Sequence, residues 1–328
     1  MAVVLVNLVL MAACSAKPAN DAPPTVPPAG PAASEPVTTP PAGEVQKLEI
    51  KASAAVFDAA TTTLVVLGGR DLAFLAGSGG QPRTTALPVP ATALTGDGAG
   101  VVYLSCSGGY LRADVRTGGS TRIAVAGHEQ TDFTAIARRA DGRLVLGSAD
   151  GSVYTLNADN NTVAAQIKLF ARVDSLATQG NTTVVLDRGQ TSVTTIDATG
   201  SQAQQALRAG EGATTLAADP MGRVLVADTR GDELLVFGVD PLILRQRYPV
   251  RNAPYGLVGT RNLAWVSLTA TNTVVGYDLA TGIPQEKVRY PTVRQPDVLA
   301  FDHATNALYV VSASGDGVQV IKNAGQPQ

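Results

Sequence analysis

Residues 214–238 read TTLAADPMGRVLVADTRGDELLVFG, three short apolar runs separated by two polar turns. The runs are Thr214–Ala218, Arg223–Ala227 and Glu233–Gly238, and the turns are Asp219–Gly222 and Asp228–Asp232. Each run is only five or six residues long, too short for a helix, and is bounded by turn residues, which predicts strands. Successive side chains of a strand point to opposite faces. Here both faces are apolar, as Val224, Leu225 and Val226 illustrate, so one copy alone cannot hide its surface. Copies must stack on either side of it.

The copies are present. Strands equivalent to Thr214–Ala218 begin SAAVFD (53–58), ATALTGD (91–97), FTAIARR (133–139), VDSLATQ (173–179), YGLVGT (255–260) and DVLAFD (297–302). With TTLAADP (214–220) they make seven units spaced about 40 residues apart, the length of four short strands per blade of a β-propeller. Turn chemistry supports the register independently. Asp114 to Gly118, Asp197 to Gly200 and Asp278 to Gly282 carry Asp and Thr oxygens for nearby amides and a Gly for positive φ. Asp97-Gly98 and Asp141-Gly142 mark the hairpins between first and second strands. The seventh unit stops after GVQVI (317–321), whereas VQKLEIK (45–51) alternates Leu48 and Ile50 with charged residues. Residues 45–51 are therefore expected as the fourth strand of the seventh blade, closing the ring and removing an open edge. The fold class is all-β, a seven-bladed propeller over residues 44–323, with a polar tail at 324–328.

The balance of 25 Lys and Arg against 27 Asp and Glu, without a basic block, excludes nucleic-acid binding as a working function. The N-terminus indicates an address. Residues 2–13, AVVLVNLVLMAA, form an apolar stretch ending in small residues before Cys14, a secretion signal too short to span a bilayer as a mature helix. Residues 1–13 are expected as a signal peptide and 14–43 as a lipidated Cys14 followed by a disordered Pro/Ala-rich stalk. Ser15–Gly43 holds nine prolines and few large apolar side chains. At roughly 3.1 Å per residue such a stalk reaches about 90 Å. Cys106, in VVYLSCS, is expected as a buried core thiol unavailable for a disulfide.

Two stretches carry a family resemblance. PYGLVGTRNLAWVSLTATNTVVGYDLATG (254–282) and PDVLAFDHATNALYVVSASGDGVQVI (296–321) are similar to the YncE-like or YVTN-type propeller repeat. Leu10-Met11-Ala12-Ala13-Cys14 resembles a bacterial lipobox, and the lipobox, stalk and propeller together resemble secreted actinobacterial lipoproteins of the mycobacterial LppL type. The resemblance implies a cell-membrane protein, lipid-anchored through Cys14 on the extracytoplasmic side.

Propellers place ligands at the channel mouth, on the face made by inter-blade loops and second-to-third-strand turns. Those positions include His128, Glu129, Asp132, Arg172, Asp174, Arg208, Glu211, Arg251, Asn252, Tyr255, Arg294 and Asp297, with Asp187, Arg188, Asp228 and Arg230 in the turns. Arg172, Arg208, Arg251 and Arg294 recur at four consecutive junctions. Beside Asp174, Tyr255 and Asp297 they suggest a pocket holding a carboxylate or phosphate through paired N–H donors; inter-blade ion pairing is the competing reading. The expected function is a non-enzymatic binding or scaffolding head, monomeric and without cofactor, whose partner is a small anion or a protein. The alternative is a lactonase-like hydrolase with Asp174, Glu211, Asn252 and Asp297 around Ca²⁺. No nucleophile elbow, phosphate-binding glycine loop or metal-spaced histidine pair is present.

Overall fold

A computed structural model describes residues 24–77 and 79–325. They form seven four-stranded antiparallel sheets arranged as the blades of one ring. Blade five contains the stretch read first, with strands Ala213–Ala218, Arg223–Asp228, Glu233–Val239 and Leu242–Pro249. The inner strands of the remaining blades, taken from blade one, are Ala54–Asp58, Ala93–Gly96, Phe133–Arg138, Ser175–Gln179, Pro254–Gly259 and Val298–Asp302.

The two-faced strands account for the ring. Val224 and Val226 pack with Val184 and Leu186 of blade four, while Leu225 between them packs with Val266 and Val275 of blade six. The same division recurs at every junction, giving seven apolar clusters, one between each pair of neighbouring blades. Full burial of a Val or Leu contributes about 1.5–3 kcal/mol. No blade therefore has an independent core, and the ring is the stable unit. Cys106 is fully buried in the cluster between blades one and two, where burial pushes its thiol pKa up.

Turn chemistry matches the expectation. Asp114 accepts the Thr117 amide at 2.8 Å, Asp97 accepts those of Ala99 and Val101, and Asp197 accepts those of Ser201 and Gln202. Closure departs from it in detail. The fourth strand of blade seven is Glu44–Gln46, paired antiparallel with Val318–Ile321 from Glu44↔Val320 to Gln46↔Val318. Pairing ends there because its partner strand begins only at Val318, after the turn at residues 313–315. Residues 47–51 instead carry Leu48 into the cluster between blades seven and one, with Ile50 packed against it.

The stalk expectation requires a correction. Cys14 and residues 15–23 lie outside the described residues, but residues 24–43 are not a free spacer. They run as irregular, mostly exposed chain over blades four to seven before entering the closing strand.

Candidate functional site

The ring face carrying the inter-blade loops is organised by buried aspartates. Asp228, at the end of the second strand of blade five, accepts the amides of Glu211, Gly212 and Gly231. Asp187, its counterpart in blade four, accepts those of Ala171, Arg172 and Gln190. Neither has exposed surface. Each ties the loop arriving from the preceding blade to its own hairpin, satisfying amides that would otherwise be buried without partners. Hydroxyls of the inner strands complete the fastening: Thr92 Oγ1 donates to Phe133 O at 2.8 Å, Thr134 Oγ1 to Val173 O at 2.5 Å, and Thr215 Oγ1 to Tyr255 O. Asp187 and Asp228 are thus structural, not ligand-facing.

A central cavity of about 330 Å³ is lined by residues of all seven inner strands, among them Thr134, Thr214 and Tyr255, by Thr92, Asp174 and Asp297 immediately before three of those strands, and by Arg188 from a second-to-third turn. Asp174 accepts the Arg188 amide at 3.0 Å and faces Arg172 Nε at 3.3 Å. Asp297 accepts Gln295 Nε2 at 2.8 Å, and desolvation raises its pKa to about 6. Desolvation also pushes up the Tyr255 phenol, with Arg188 and Asp297 acting on it in opposite senses.

The four arginines of the expected anion pocket do not line this cavity. Arg172 is engaged with Asp174, Arg294 Nε donates to Ser34 O at 3.2 Å, Arg251 is exposed, and Arg208 is exposed as the last residue of the outer strand Ala203–Arg208 of blade four rather than in an inter-blade loop. The charged groups within the cavity are Asp174, Asp297 and Arg188, an excess of acidic over basic groups. Of the acids considered for calcium, Glu211 is exposed, and among the described residues no three His, Cys, Asp or Glu side chains are grouped as metal ligands. His128 stacks edge-on with Tyr154 and His303 with Phe301, on different blades.

Sequence reasoning placed Arg188, Arg230 and Arg294 on this face but missed Asn272, Gln295 and the N-terminal segment that all of them hold. Arg230 donates to Pro27 O at 2.6 Å, Arg188 to Ala29 O, Gln295 Nε2 to Ala32 O at 3.0 Å, and Asn272 Nδ2 to Glu35 O at 2.7 Å. Gln295 Oε1 also accepts the Ser34 amide at 3.0 Å, so its carboxamide grips the segment from both sides. Ser34 is buried, donating to Thr269 O at 2.6 Å and accepting the Gln295 amide. Gln295 and Asn272 have positive φ, 52° and 48°, values uncommon for Gln in particular. Asn272, of a residue type that tolerates this region, was a local signal available.

These features define a seven-bladed propeller with a polar channel and a peptide segment on its rim. No family model matches the chain, and no curated protein sequence matches it. Solved structures share the fold. A streptogramin B lyase structure matches with TM-score 0.70 and 14% identity over 85% of this chain and 97% of that one. A chain of the Kuenenia stuttgartiensis hydrazine synthase gives 0.70 and 12% over 86% and 98%. A chain of a mitotic checkpoint complex gives 0.73 and 13% over 91% and 99%. At such identity the likeness concerns the fold alone.

Proposed function

We propose that the protein is a membrane-anchored extracytoplasmic lipoprotein whose propeller is a non-enzymatic binding head, with the channel-mouth face toward the bilayer and engaged with a protein partner there. One observation carries the orientation: the N-terminal segment leaves the head from that face, beside the Gly189 turn, where the Val26 amide donates to Gly189 O. Cys14 lies ten positions before Pro24, and even fully extended that stretch spans at most about 35 Å. A lipid on Cys14 then holds the mouth close to the membrane, rather than on a stalk of about 90 Å. A protein partner is favoured over a small anion because Arg172 and Arg294 are already engaged and the cavity's acidic groups outnumber Arg188.

Lipidation predicts that wild type partitions with membranes and that Cys14→Ala moves the protein to the soluble fraction; equal partitioning of the two removes the anchor. Orientation is read on vesicle-bound protein carrying a fluorophore either on the rim (Arg251→Cys) or on the opposite face (Met221→Cys), with an acceptor in the lipid. The rim label should transfer energy more strongly. Equal transfer from both sites, or stronger transfer from Met221→Cys, contradicts the proposed orientation.

A further inference from the structure

The partner proposed above acquires a chemical class from the way the rim treats the chain's own N-terminus. Residues 24–36 read PTVPPAGPAASEP, with five prolines. A proline-rich backbone offers carbonyl acceptors but few amide donors, and its pre-set φ keeps it extended. The rim opposite it is a row of donors. Arg230, Arg188, Gln295, Arg294 and Asn272 reach the carbonyls of Pro27, Ala29, Ala32, Ser34 and Glu35 in chain order. Among the described residues three segment amides bond to the rim: Val26 to Gly189 O, Ala32 to Thr269 Oγ1 and Ser34 to Gln295 Oε1.

The contacts read main chain, not side chains. Apart from Ser34, the segment presents mainly Pro and Ala, most of it exposed, so the seat is selective for an extended backbone with free carbonyls and a small hydroxyl near its C-terminal end. The donors also come from four different blades: Arg188 from blade four, Arg230 from blade five, Asn272 from blade six, Arg294 and Gln295 from the loop entering blade seven. Arg230 Nη1 also donates to Glu211 O and Asn272 Oδ1 accepts the Gln295 amide, so these two side chains brace blade junctions as well, while their Nη2 and Nδ2 groups reach out to the segment.

We propose that this rim is a binding seat for extended proline- and alanine-rich peptide, occupied in cis by residues 24–36 and open in trans to a partner segment of the same chemistry. This rests on the mouth face being the engaged face. A tethered segment competes at an effective concentration in the millimolar range, so a free peptide meets an occupied seat in the resting protein and gains it when the cis segment is displaced.

The test uses the full chain with residues 24–36 replaced by an equal length of Gly and Ser, and a synthetic peptide PTVPPAGPAASEP as probe. The peptide should bind the replaced chain at least tenfold more tightly than wild type, and Arg188→Ala with Arg230→Ala in the replaced chain should lower that affinity at least tenfold. A proline-free peptide of equal length and charge should bind at least tenfold more weakly. Equal binding of both peptides, or no binding to a replaced chain that melts like wild type, overturns the proposal. If the replaced chain melts early, amide exchange in the unaltered protein decides. The Val26, Ala32 and Ser34 amides should exchange faster in saturating peptide, and unchanged rates overturn the seat. Failure here with the rim label still nearest the lipid leaves the orientation intact; peptide binding with the rim label remote from the lipid refutes the orientation alone.

Discussion

Asp297 and Asp228 occupy the same face with opposite consequences. Asp228 has three amide donors on its two oxygens, whereas Asp297 has one side-chain donor and a partly desolvated position in the channel. The ordinary carboxyl value is 3.8 and that of Asp297 is about 6. Between these values the folded protein holds a proton that the unfolded chain has released, so stability falls as pH rises through that window and levels off above it. With a discount for partial solvation, the cost at neutral pH is on the order of 1–2 kcal/mol. Asp297→Asn should therefore raise stability at pH values above about 6 and leave it nearly unchanged near pH 4, as read by urea unfolding at both. A shift of equal size at both pH values contradicts the desolvation account. The sequence marked Asp297 as a mouth residue because it begins an inner strand; its solvation depends on six other blades, which no local pattern encodes.

At the scale of elements, the strands and turns were legible because each repeats a local code: apolar residues on both faces, then Asp, Thr and Gly at fixed offsets. Closure was legible as a need, since blade seven had three strands of its own, but not in register. Leu48 and Ile50 alternate as a strand would, yet Val318–Ile321 is too short to pair with them. They act as side chains wedged between blades. Leu48→Ala is expected to cost about 2–4 kcal/mol through lost burial and a cavity. Val45, within the paired strand but 45% exposed, should tolerate Ala at less than about 1 kcal/mol. Denaturant unfolding of the two variants checks this. A larger loss at Val45 than at Leu48 would contradict the wedged position of Leu48 between blades seven and one.

At the scale of the molecule, the ring was readable from one 25-residue stretch and its copies, whereas the rim seat was not. Composition described residues 15–43 as a chain unable to build a core, which is correct physics, but it is silent on whether a ready-made surface can hold such a chain. Donors far apart in sequence, from Arg188 to Gln295, converge only once the blades have closed. The same convergence explains why four arginines at regular spacing did not make one pocket: spacing assigns them to a face, while loop geometry sends Arg294 to Ser34 and Arg172 to Asp174.

The seated segment underlies both the orientation and the peptide proposal, and a disulfide tests it most directly. A Cβ built at Gly189 stands 3.5 Å from Thr25 Cβ, within the spacing a disulfide requires. In a Cys14→Ala background, where Cys106 is buried, Thr25→Cys with Gly189→Cys should cross-link nearly completely under mild oxidation, and mass spectrometry should join the peptides carrying residues 25 and 189. Two free thiols at those positions in a folded, oxidant-treated protein would contradict the account.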